Sequence, residues 1–273
     1  MARIGEELLR AGDHRPAREL RREAAREHRE ALYTSVDGRG LREAAGSPPT
    51  QSWVQDGTRL MPGHAYVGSV KTRLGLVNTR LRAARGRPSA SVLCDLGCGR
   101  TESLGHILQM CPSLAPERTR RHDHLLALLT SLLDKRGHTV WREPTIRTSA
   151  GARKPDLVVG GDGWSVVLDV QVVSDSGAGD CLARAHALKI SYYDRDEISA
   201  WVRERSGHSP SYETLTVNWR GVMAPASYSA LRRLGLSRSE CKLLVVRAIE
   251  GSWTMVRAHR DIGGTGLDPV LWG

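Results

Sequence analysis

Phenylalanine is absent from this 273-residue chain, and aromatic residues of all kinds make up only 5% of it, so Trp and Leu must fill a core. No run of about 18 apolar residues occurs, which excludes a membrane-spanning helix. Met1 to Glu7 is charged and no apolar segment follows it, so the protein is expected not to be secreted. Cysteine is sparse and odd in number, at five, and three of the five cluster with a histidine. That pattern favours a metal site in a reducing compartment over a disulfide framework. Acid is the scarcer charge, with 30 Asp and Glu against 40 Lys and Arg. Most of the basic residues are Arg, which makes bidentate contacts to phosphate oxygens. Net charge alone does not separate nucleic acid from an anionic membrane. No apolar helix face accompanies a basic one, and this argues against a membrane surface.

What is present divides into three parts: a helical, Arg-rich, nucleic-acid-binding segment at 1–90, a zinc module at 91–116, and an α/β domain at 117–273. Residues 1 to about 34 read as a solvated helix with few apolar points, Leu20 and Leu32 among them. Val70, Leu74, Val77 and Leu81 form an apolar stripe at helical spacing. Lys71, Arg73, Arg80, Arg82, Arg85 and Arg87 crowd the same stretch, which contains no acid, and they are expected to contact phosphates.

Cys94, Cys98, His106 and Cys111 follow at C-x3-C-x7-H-x4-C spacing. Three thiolates and an imidazole satisfy tetrahedral Zn²⁺ and leave no open position, so the site is expected to be structural. Gly97, Gly99 and Gly105 are expected to ease tight turns between the ligands. Glu117 to Lys135 reads as an amphipathic helix with Leu125, Leu126, Leu128, Leu129, Leu132 and Leu133 on its core face. His138 to Arg147 reads as a strand, Asp180 to about Arg205 as a helix, Glu213 to Val222 as a strand and Tyr228 to Leu236 as a short helix. Leu243-Leu244-Val245-Val246 suits a strand and a helix equally.

The most informative stretch is Pro155 to Val173. Leu157-Val158-Val159 and Val166-Val167-Leu168 are β-branched-rich runs separated by Gly160-Gly161-Asp162-Gly163, a turn signal. Asp156 and Asp169 intrude on these apolar strands. An unpaired buried charge costs several kcal/mol, whereas two carboxylates on neighbouring strands can share one Mg²⁺.

Pro155-Asp156, a dozen residues, then Asp169-Val170-Gln171 resembles the nuclease pattern P-D…(D/E)-x-K, with Gln171 where the lysine usually stands. Together with Arg147-Thr148-Ser149 and Arg153-Lys154 it resembles the restriction-like endonuclease domain of site-specific non-LTR retrotransposons that insert into ribosomal RNA genes. The cysteine and histidine spacing fits the CCHC motif of that family. Arg121-His122 matches its Arg-His-Asn, with Asp123 in place of the Asn.

The resemblance implies a restriction-endonuclease-like mixed-sheet core in the order helix, three strands, helix, strand. It implies Mg²⁺ or Mn²⁺ for nicking, held by Asp156 and Asp169, and structural Zn²⁺. It also implies that the missing lysine is relocated to the following helix, where Lys189 matches and His186 falls near a second position. Arg121, His122 and Lys154 become further nucleic-acid contacts. The implied partners are double-stranded target DNA, element RNA and an upstream reverse transcriptase, since no paired-aspartate polymerase signature is visible here. The implied setting is nuclear ribosomal DNA, nicked to prime reverse transcription. The other reading is a nucleic-acid-binding module whose nuclease has decayed.

Overall fold

The computed structural model describes residues 17–87, 90–175 and 180–264. The expected helix before residue 17 lies outside them. Helix α1 (Ala17–Thr34) has no buried residue, as its charge-rich text predicts. Helix α2 (Pro49–Asp56) opens on a proline, which is suited to a first helical turn where no intrahelical donor is needed. Helix α3 (Gly63–Arg73) is followed by a turn and then by α4 (Arg80–Ala83), whose N-terminus is capped by the Thr79 hydroxyl. The stripe from Val70 to Leu81 is therefore split. Val77 is buried, while Leu81 is 43% exposed.

Helix α5 (Ala115–Asp134) buries Leu125, Leu126, Leu129, Leu132 and Leu133. Its chain ends at Gly137, whose φ of 74° suits a residue without a Cβ. Strand β1 (Thr139–Arg142) comes next, then a small hairpin of β2 (Ile146–Thr148) and β3 (Gly151–Arg153). The single strand expected over His138–Arg147 is broken at Glu143, which has a φ of 48°. Strands β4 (Leu157–Gly161) and β5 (Trp164–Val173) form the expected hairpin. The helix expected over Asp180–Arg205 is two helices, α6 (Cys181–Tyr193) and α7 (Asp196–Ser206). Strand β6 (Pro210–Asn218), α8 (Pro225–Arg233) and α9 (Arg238–Ile262) complete the described chain. The ambiguous Leu243–Val246 run lies in α9, which starts with a Ser237–Glu240 capping box.

The sheet order is β1-β4-β5-β6. The first three strands are antiparallel, and β5 pairs β6 in parallel from Ser165↔Pro210 to Val173↔Asn218. A parallel pair needs a crossover, and α6 and α7 supply it. One face carries Leu157, Val159, Val166, Leu168, Val170, Leu215 and Val217 into a core shared with α5 and α9. The other face places Val158 and Val167 with Tyr193, Ile198 and Val202. Both faces are covered, which is why β5 reads as a nearly continuous apolar run. The larger core also contains Trp53, Met61, Cys94, Ile107 and Leu108. The three sequence segments thus share one core.

Candidate active site and metal centre

Asp169 lies in the middle of β5 opposite Thr214 of β6. Only 3% of it is exposed. Period-two alternation puts Asp169 and Gln171 on the face with Val167, away from the larger core. Asp156 immediately precedes β4. Its Oδ2 accepts a hydrogen bond from the Val170 amide at 2.6 Å, which fastens it to β5 beside Asp169. On the third side, Lys189 of α6 reaches Asp169, with Nζ 3.2 Å from Oδ1 and 3.1 Å from Oδ2. Asp169 Oδ2 is buried and has no hydrogen-bond donor in good geometry. Burial first, and then the Asp156 charge, raise the Asp169 pKa above the ordinary carboxylate value, while Lys189 opposes them. A pair of crowded carboxylates, one of them buried with an oxygen that lacks a well-aligned donor, fits a hard divalent cation.

These groups line a cleft of about 380 Å³, together with Gln109, Arg118, Arg121, His122, Lys154, Gln171 and Tyr193. His122 Nε2 lies 3.3 Å from Asp156 Oδ2, and that hydrogen bond is the main cause raising its pKa to about 9. Lys154 is exposed, and its Nζ lies 2.7 Å from Glu143 Oε1, a surface pair that salt would screen. Arg121 differs from expectation. It is 3% exposed and donates to Ser252 Oγ at 3.0 Å and the Leu108 carbonyl at 3.1 Å, so it braces helices more than it meets solvent. His186 also differs. Its Nδ1 lies 2.8 Å from Thr214 Oγ1, and it does not line the cleft. Gln171 donates to the Ala185 carbonyl and to Thr216 Oγ1, at 3.1 and 2.8 Å. Its amide therefore links β5, α6 and β6 structurally. Gln109, Arg118 and Tyr193 were not anticipated. Nothing in their local spacing marks them.

The ligand atoms of Cys94, Cys98, His106 and Cys111 all lie within 4.8 Å of one another. The Cys94 and Cys111 sulfurs are 3.9 Å apart, and Cys98 Sγ is 3.2 Å from His106 Nε2. Two thiolates on a tetrahedral zinc would sit about 3.8 Å apart, so the donor set fits Zn²⁺. Gly97 and Gly99 turn with φ of 69° and 73°, while Gly105 has a helical φ of −62°. Backbone amides of Leu96 and Arg100 donate to Cys94 and Cys98. The short π-helical turn His106–Met110 carries one ligand, and Cys111 follows directly. Between these ligands sits Gln109, which donates to the Val172 carbonyl at 3.3 Å and reaches the cleft. Arg118, also in the cleft wall, donates to the Cys111 carbonyl at 2.6 Å.

The basic segment is less uniform than its composition suggests. Arg73 is 7% exposed, stacks over Trp53 and donates to the Arg220 carbonyl at 3.0 Å. It is a buried strut, and the expectation that it contacts phosphate fails because its guanidinium does not face solvent. Arg82 and Arg85 converge on Asp37 at 2.6 and 2.8 Å and hold that carboxyl well below its usual range. Arg80 pairs with Asp95. Lys71, Arg80, Arg85 and Arg87 are exposed.

The chain is 34% identical over 240 residues, 87% of its length, to the "Retrovirus-related Pol polyprotein from type-2 retrotransposable element R2DM" of Drosophila melanogaster. It is 33% identical over 230 residues, 81% of its length, to the Pol polyprotein from type-1 retrotransposable element R2 of Nasonia vitripennis. It is 30% identical over 244 residues, 89% of its length, to that of Popillia japonica. It spans 22% of each of the first two relatives and 49% of the third. No protein-family model matches it.

Two outcomes follow from this geometry. Elemental analysis is expected to find one zinc per chain, and much less in Cys111→Ser. Burial pushes the Cys94 thiol up to about 12, so zinc must displace its proton and affinity falls as pH falls. The second outcome concerns Asp169. Its raised folded pKa means that the carboxylate is disfavoured at neutral pH, and protonation relieves this cost as pH falls through that pKa. Asp169→Asn is therefore expected to raise the melting temperature at pH 7 in metal-free buffer. The gain shrinks toward pH 3.8, the ordinary value. A lower melting temperature at pH 7 contradicts this.

Proposed function

Over most of its length this chain is homologous to the Pol polyproteins of R2 retrotransposable elements, matching a C-terminal region, and on that kinship we propose that it is the metal-dependent DNA endonuclease portion of such a polyprotein. The observation that carries the reading is the convergence of Asp156, Asp169 and Lys189 on one cleft whose rim is basic. The four-stranded mixed sheet, flanked by helices and carrying both carboxylates at one hairpin, supports a restriction-endonuclease-like core. The target is double-stranded DNA, with nuclear ribosomal DNA implied by the kinship. Element RNA and a reverse transcriptase of the same polyprotein are the expected partners.

Mg²⁺ or Mn²⁺ at Asp156 and Asp169 would supply neutralisation of the scissile phosphate and a lowered pKa for the attacking water. Lys189 holds an ammonium against Asp169 from α6, on the same side of β5 as Gln171, the strand position where the family pattern has its lysine. It is placed to stabilise the added negative charge of the pentavalent transition state or to orient the nucleophile. His122 holds Asp156 from α5 and orients its carboxylate. Lys154 and Arg118, on the cleft wall, draw the phosphate backbone in. Lys71, Arg80, Arg85 and Arg87 offer a second phosphate-facing surface.

The test is single-turnover nicking of supercoiled plasmid carrying ribosomal DNA, with and without Mg²⁺, beside DNA affinity on the same preparations. Asp156→Ala and Asp169→Ala are expected to remove nicking and leave affinity within a few-fold. Lys189→Ala is expected to slow it by about a hundredfold or more, and His186→Ala by far less. Wild-type nicking by Asp156→Ala would sink the nuclease reading. DNA binding with no Mg²⁺-dependent nicking in the wild type would leave a nucleic-acid-binding module.

A further inference from the structure

Beside the four zinc ligands lies a second buried cluster, Cys94, Glu102 and His259, whose ligand-type atoms also fall within 4.8 Å of one another. His259 belongs to the last turn of α9, about 165 residues from Cys94 in sequence, and is 3% exposed. Its Nε2 is 3.6 Å from Cys94 Sγ and 3.5 Å from Glu102 Oε2. Glu102, likewise 3% exposed, is already held: Oε1 accepts from the Arg80 amide and Oε2 from the Asp95 amide, each at 2.9 Å. The carboxylate is thus fixed by one backbone donor from α4 and one from the zinc loop itself. The helix end is fixed too. A Cβ on Gly263 would meet Asp95 Cβ at 3.2 Å and Leu96 Cδ2 at 3.6 Å, so α9 ends directly against the Cys94–Cys98 loop.

Cys94 already completes a four-donor set, so a fifth ligand is not required. A zinc-bound thiolate keeps negative charge on sulfur, and buried charge calls for donors. A buried imidazole likewise needs partners for its N–H. We infer that His259 is a positioning residue of the zinc centre, its Nε2–H shared between the Cys94 thiolate and the Glu102 carboxylate, so that α9 is clipped to the metal site from outside the ligand set. The inference rests on the four-ligand zinc reading, and wild-type zinc content tests that reading separately. It gives the zinc a role beyond its own small loop. The metal fastens the helix whose upper turns, through Leu244, Val245, Ile249 and Trp253, pack in the core that backs the sheet.

Chelator competition is the first test, on wild type, His259→Gln, which keeps an N–H donor, and His259→Leu, which removes it. His259→Leu is expected to lower zinc affinity about 10- to 100-fold and to shift the thiolate-to-metal charge-transfer band of the Co²⁺-substituted protein. His259→Gln is expected to recover most of both. A role confined to packing would lower the melting temperature of the Leu variant and leave zinc affinity and the Co²⁺ spectrum unchanged, which overturns the inference. Complete loss of metal from His259→Gln would also overturn it, by making His259 a ligand. The wild type provides a measurement that needs no variant to fold. In ¹¹³Cd-loaded protein, the His259 Nε2–H proton is expected to show scalar coupling to cadmium across the N–H···S hydrogen bond. An unprotonated Nε2 would contradict the assignment.

Discussion

The hydrogen bond from the Val170 amide to Asp156 Oδ2 spans 2.6 Å and holds the two carboxylates together. The β4–β5 ladder runs in register to Leu157↔Leu168, and this bond extends the pairing by one step at the side-chain level. Asp156 is therefore held close to Asp169, and the two carboxylates stay beside each other where β4 begins against the middle of β5. Such an arrangement is unfavourable without a cation, because burial and like charge both oppose ionisation. Lys189 offsets part of that cost. The helices around the sheet can be read as the support for this one crowded point: α6 delivers Lys189, α5 delivers His122, and β6 closes the strand that carries Asp169.

The cysteine and histidine cluster is joined to that point through the chain between its ligands. Gln109 lies between His106 and Cys111 and bonds to the β5 backbone at Val172. Arg118 bonds to the Cys111 carbonyl, and Arg121 to the Leu108 carbonyl. All three side chains line the cleft. A structural zinc would thus fix one wall of the candidate active site as well as its own loop. The second half of the module is already anchored by Ile107, Leu108 and Leu114 in the core, and metal coordination would add the hold on residues 95–101, none of which is buried.

Much of this arrangement was legible in the sequence. The two aspartates stood out because they interrupt apolar, β-branched-rich runs where an unpaired charge is costly, and the zinc ligands because four donors of the right type crowd 18 residues. In the second half the β4–β5 hairpin and the long Leu-rich helix followed from apolar patterning, whereas the break at Glu143, the division of 180–205 into two helices and the helical state of Leu243–Val246 did not. Arginine was harder to read. Arg73 and Arg121 carry the same letter as Arg85 and Arg87, yet the first two are buried struts bonded to carbonyls of distant segments. Composition records charge, and exposure depends on partners far along the chain. His186 looked like a neighbour of Lys189 because three helical residues share a face, but the helix is rotated so that His186 meets Thr214. His259 and Glu102 were invisible for a related reason, since their meeting with Cys94 depends on where a helix end docks.

The proposed nuclease requires Asp156 and Asp169 to hold a divalent cation together. Mn²⁺ titration followed by electron paramagnetic resonance on zinc-loaded protein tests it without depending on turnover. A class of bound Mn²⁺ is expected in the wild type that disappears in Asp169→Asn and in Asp156→Asn, while the zinc content of both variants stays unchanged. Equal Mn²⁺ binding by wild type and both variants would contradict it.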